Sequence, residues 1–106
     1  MNTDLMESNF SHSISQAVNC LQSFCYEKAY ALILEAMKAR PDAPQPHNLL
    51  GIYYELGGDV DLARRHYRAA YSLDPTYSPA CRNLEQISLA LGNDRPRSFD
   101  FGEKTN

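Results

Sequence analysis

Ala29, Ile33, Ala36 and Pro41 return in the same order and at the same mutual spacing as Ala63, Tyr67, Ala70 and Pro75. A chain that restates itself at a fixed period is built from one supersecondary unit used repeatedly, because a single unit cannot bury its own apolar face and needs its neighbours to do so. The small and large residues recur at steps of four and three, which puts them on one side of a helix rather than on alternate faces of a strand. The frame runs without insertion through residues 10–43 and 44–77 and ends in a half-repeat at 78–92. It predicts an all-α chain of five helices, near 11–22, 25–39, 45–57, 60–73 and 79–91. Residues 1–9 form an N-terminal segment on the spacing of the first helix, and residues 93–106 a polar tail.

The punctuation agrees with this frame. Pro41 and Pro75 end the second and fourth helices, since proline disfavours helix at the residue before it and brings no amide of its own. Ser78-Pro79 opens the last helix, with serine as cap and proline where an amide is not needed. Gly58-Asp59 links the third and fourth helices through a left-handed residue and a capping carboxylate. Gly51 and Ala63 allow close backbone approach, with Leu50, Tyr54 and Tyr67 filling the space around them. The first repeat differs: Gln16, Ala17, Cys20 and Phe24 stand where Leu50, Gly51, Tyr54 and Gly58 stand in the second. Phenylalanine is disfavoured in a left-handed turn by about 1–2 kcal/mol, so the first turn is expected to take another shape, with Ser23 as its cap. In the half-repeat, Ala80, Leu84, Ile87 and Leu91 form the stripe expected to cover the fourth helix.

Leu50, Gly51, Tyr54, Gly58, Ala63, Tyr67, Ala70 and Pro75 together complete a pattern that resembles the tetratricopeptide-repeat family over residues 10–92, with His47 in place of the family's bulky aromatic. The resemblance implies a right-handed superhelical α-solenoid of antiparallel helix pairs. It also implies a non-catalytic scaffold or adaptor that binds a partner peptide in a concave groove lined by the first helix of each repeat. One version of the family grips a C-terminal carboxylate with lysine, asparagine and arginine. The matching positions here are Ile14, Val18, Leu49, Pro79 and Asn83, so that clamp is not expected.

Helical geometry gives the groove-facing residues. Asn48, Ile52 and Glu55 lie at i, i+4 and i+7, opposite the face carrying Leu50, Tyr54 and Gly58. One repeat length back, the equivalent positions are Ile14, Val18 and Leu21 on the first helix; one repeat length on, they are Arg82, Gln86 and Leu89 on the fifth. In this reading Asn48 and Gln86 bond a ligand backbone, Arg82 meets an acidic group, and Ile14, Val18 and Ile52 take apolar side chains. In the competing one, Leu5, Met6 and Phe10 cover Ile14, Val18 and Leu21. Arg64, Arg65, His66 and Arg68 read as a solvated outer face balanced by Asp59 and Asp61. The tail is read as mobile, or else as a docking motif at Phe99-Asp100-Phe101 that occupies its own groove or a neighbour's.

Ten basic residues against thirteen acidic ones, a formal net charge of −3, argue against a nucleic-acid partner. The N-terminal residues hold neither a signal peptide nor a membrane span, which makes the cytoplasm the expected compartment. Cys20, Cys25 and Cys81 are expected as buried free thiols. His12, His47 and His66 do not fall at metal-ligand spacing, and no phosphate loop, nucleophile motif or paired carboxylates are present, so no metal, cofactor or catalysis is expected. The alternative to peptide binding is a self-associating assembly subunit, in which a thin helical array doubles its buried surface against a second copy.

Overall fold

The computed structural model describes residues 3–89 and 97–103, with side chains from residue 8 onward. Leu91, expected to cover the fourth helix, and the side chains of Leu5 and Met6, expected in the competing reading to cover Ile14, Val18 and Leu21, lie outside the described residues. Among the described residues there are five helices and no strand: α1 (Thr3–Gln22), α2 (Tyr26–Ala39), α3 (Gln45–Leu56), α4 (Val60–Leu73) and α5 (Ser78–Leu89). The expected helices are all present, and α1 starts at Thr3, about two turns earlier than predicted.

Each helix buries the face that its spacing defines. In α1 the buried residues include Phe10, Ile14, Ala17, Val18 and Leu21, in α2 they are Ala29, Ile33 and Ala36, and in α4 Ala63, Tyr67 and Ala70. The last two triplets are the repeated residues themselves, and all six are fully buried. The central helix α3 is enclosed on more sides: Pro46, Asn48, Leu49, Leu50, Gly51 and Ile52 are all buried. Helix α1 packs most closely on α2 and α3 on α4, α2 meets α3, α4 meets α5, and α3 also touches both α1 and α5. The odd-numbered helices therefore share one side of the molecule, whose extents are 51 × 29 × 28 Å.

Three local expectations need correction. The α1–α2 turn does not change shape to suit phenylalanine: Phe24 adopts φ 64°, beside φ 90° for Gly58 at the matching position. The amide of Cys25 donates to the Cys20 carbonyl at 2.8 Å, as that of Asp59 does to the Tyr54 carbonyl at 2.9 Å. The packing of α1 on α2 thus imposes the left-handed residue, and the side chain bears the strain. The residue preceding α2 is Cys25, not Ser23, and no side chain caps there. By contrast, Asp59 accepts from the Leu62 amide at 3.1 Å at the start of α4. The cysteines are all free, but only Cys20 is buried; Cys25 is exposed and Cys81 half-buried.

Candidate peptide-binding groove

Two asparagines sit where a helical array would ordinarily place apolar side chains. Asn48 on α3 and Asn83 on α5 are both fully buried, and the Asn83 carboxamide donates to Asn48 Oδ1 at 2.8 Å. A buried carboxamide must find partners for every donor and acceptor or lose about 1–3 kcal/mol for each group left unmet. The tail residue Asp100 supplies three further bonds to the pair. The amide of Asp100 donates to Asn83 Oδ1 at 2.9 Å, and its carbonyl accepts from Asn83 Nδ2 at 2.8 Å and Asn48 Nδ2 at 3.0 Å. Both backbone groups of one residue are thereby read by side chains, as a neighbouring strand would read them in a sheet.

Residues 97–103 are therefore seated against the helices. The segment crosses the side shared by α1, α3 and α5. At one end, Arg97 meets Glu55: Nη2 donates to Oε1 at 2.9 Å and Nε pairs closely with Oε2. Arg97 also donates to Gln86 Oε1 at 2.7 Å and to the Asn83 carbonyl at 3.2 Å. The Arg97 and Glu55 side chains are 17% and 11% exposed, so water screens the pair little. Tyr67 donates to Glu55 Oε1 at 2.9 Å and so fixes the carboxylate from below; burial, then the nearby carboxylate, pushes the Tyr67 phenol far above its ordinary range.

Further along, Phe99 and Phe101 pack against the apolar core cluster, and the Arg97 guanidinium lies 4.4 Å from the Phe99 ring centre. The Asp100 carboxylate takes a charge-assisted bond from Arg82 Nη1 at 2.8 Å and accepts from the Gly102 amide at 3.0 Å. Gly102 has φ 81°, and a Cβ there would run into the Tyr77 hydroxyl, so glycine is needed for both conformation and space. Burial, then the Asp100 carboxylate, pushes the Tyr77 phenol up to about 12. At the far end Ser15 donates to Glu103 at 3.0 Å. A cavity of about 480 Å³ remains beside the segment, bordered by Val18, Asn19, Gln22, Arg82 and Gln86.

The nine residues expected to face the groove separate into three groups. Asn48, Glu55, Arg82 and Gln86 all bond the segment, and Val18 borders the cavity while being almost wholly buried. Ile14, Leu21 and Ile52 belong to the core: Ile14 is 8% exposed, Leu21 2% and Ile52 not at all, so none is open to a ligand side chain. Leu89 is exposed on a different hollow, bordered by Tyr71, Cys81, Leu84, Glu85 and Ser88. Asn83 enters the sequence reading only as a position of the clamp that is not expected, because the repeat frame pairs Asn48 with its neighbour Arg82. Its signal is a polar residue three after Ala80 and four before Ile87, inside the buried stripe of α5.

His66 does not join the outer basic face. Its ring stacks on His47 across α3 and α4, with the two Nδ1 atoms 3.2 Å apart, and on Tyr54 from the other side. Burial lowers both histidine pKa values, and for His66 the neighbouring His47 lowers it further. Among the described residues no group of three or more His, Cys, Asp or Glu side chains could hold a metal ion, and no helix is long and apolar enough to cross a membrane. In comparison with known proteins, no family model matches the chain and no solved structure matches it.

Proposed function

We propose that the chain is a non-catalytic cytoplasmic scaffold that binds an extended segment of a partner protein in the groove between α1, α3 and α5. The five helices would then be two and a half units of a tetratricopeptide-like solenoid, with the groove on its concave side. The observation that carries this reading is the pair of buried carboxamides on Asn48 and Asn83, which hold the amide and carbonyl of Asp100. Groups that bond a backbone rather than a side chain suit recognition of an extended peptide, since affinity comes from main-chain bonds and selectivity from the pockets beside them. The acceptors around Arg97 and the cavity near Val18 supply such pockets.

The test is selection of binders from a displayed library of short random peptides on the full chain, followed by mapping of amide shifts. Enriched peptides should move the signals of Val18, Arg82 and Gln86. Binders that move only Arg65 and Arg68 on the outer face would refute the assignment.

A further inference from the structure

The chemistry of the seated segment specifies what else the groove can hold. The acceptors that converge on Arg97 include both Glu55 oxygens, Gln86 Oε1 and the Asn83 carbonyl. That set matches a planar fork of N–H donors and would leave acceptors unmet around a lysine ammonium. Two positions on, an aromatic ring lies under the guanidinium and against the core cluster, and two further on a second ring does the same to the core. Between the rings, Arg82 selects an acidic side chain; it is 63% exposed, so it sets sign more than affinity.

None of residues 97–103 is fully buried, and the segment lies on the outside of the core it packs against. The buried hydrophobic residues all belong to the helices and the α2–α3 connection, whereas Phe99 and Phe101 are only partly buried and a cavity of about 480 Å³ adjoins them. Resting on the peptide-binding reading above, we propose that the partner of this groove is an extended peptide reading arginine, any residue, aromatic, acidic, aromatic. Arg97–Phe101 is the chain's own version of that ligand, and the partner displaces it.

The experiment measures fluorescence anisotropy of a labelled peptide of residues 97–103 with three full-length proteins: the natural chain, Asp100→Pro, and Arg97→Ala/Phe99→Ala. Asp100→Pro removes the amide held by Asn83 without touching a helix, and the second variant vacates the groove by another route; retained helical circular dichroism shows that each is folded. A tethered ligand competes at an effective concentration of order millimolar, so a peptide of micromolar affinity should bind the variants on the order of a thousandfold more tightly than the natural chain. Exchanging the peptide's arginine for glutamate, or both phenylalanines for alanine, should weaken binding to the variants by about tenfold or more.

Equal affinity for all three proteins, or indifference to the peptide changes, would overturn the proposal while leaving the groove a peptide site. Failure of the folded variants to bind this peptide or any library-selected peptide would instead remove the peptide-binding reading itself. A concentration-dependent dimer of the natural chain that Asp100→Pro abolishes would make a second copy the occupant and also overturn the proposal.

Discussion

Replacing Gly51 by alanine should destabilise the protein even though alanine is the better helix former. A Cβ at Gly51 would fall on the Tyr67 ring, touching Cδ1 and Cε1 and lying 2.8 Å from Cζ, where carbon atoms settle at roughly 3.5–4.0 Å. The ring has little freedom to retreat. Tyr67 is fully buried, and its hydroxyl is tied to Glu55 at 2.9 Å. Overpacking of this kind costs about 1–3 kcal/mol, and the gain in helix propensity returns up to about 1 kcal/mol. The net loss should be about 1–2 kcal/mol, with the melting temperature falling by about 4–8 °C for each kcal/mol. The first repeat supplies the control, because it places Ala17 and Ile33 at the positions of Gly51 and Tyr67. Gly51→Ala should therefore cost much less when Tyr67→Ile is already present, with a coupling of about 0.5–3 kcal/mol in the double-mutant cycle. Thermal melts of the four proteins measure it. A rise in melting temperature for Gly51→Ala alone, or the same cost in both backgrounds, would refute the packing argument.

Phe24→Gly should stabilise the chain by about 0.5–1 kcal/mol in urea titration, since the side chain is 73% exposed and holds φ 64° at a cost of about 1–2 kcal/mol, part of which glycine's unfolded-state freedom takes back; a loss of stability would contradict the strain. Ala63→Leu should lower the melting temperature clearly, because Ala63 is fully buried, whereas Ala69→Leu, half-buried on the same helix, should lower it much less; equal melts would show that the inward face of α4 is misplaced. The two stacked histidines have folded pKa values below the ordinary 6.5, so the unfolded chain takes up protons first. Their stabilising contribution is full above that value and is lost as pH falls through and below it. Melting temperature should drop between about pH 8 and about pH 5, and His66→Gln should flatten the drop; an unchanged slope would remove the pair as its source.

The helices and their stops are legible in the sequence because each rests on local chemistry: apolar residues at helical steps, Pro41 and Pro75 after α2 and α4, Asp59 before α4. What the sequence hides depends on how elements meet. The intrinsic preference of Phe24 points away from a left-handed turn, yet the packing of α1 on α2 fixes that turn. Helical phase puts Ile52 and Ile14 on the groove, but α3 is enclosed on nearly all sides and the first helix turns Ile14 into the core. A strict repeat frame passes over Asn83, since α5 buries Asn83 and exposes Arg82 instead. The seat of Arg97 and Asp100 joins residues 11 to 52 positions apart in the chain, and no periodicity reports contacts of that kind. Only the two phenylalanines in a polar tail hint at it.

The most direct measurement of the account is hydrogen exchange at the Asp100 amide in the natural chain and in Asn83→Ala. Held by Asn83, this amide should exchange about tenfold or more slowly than a free chain allows, and Asn83→Ala should restore the free rate while the helical amides stay protected. An Asp100 amide that exchanges at the free rate in the natural chain, beside protected helices, would show that the groove does not hold a backbone segment.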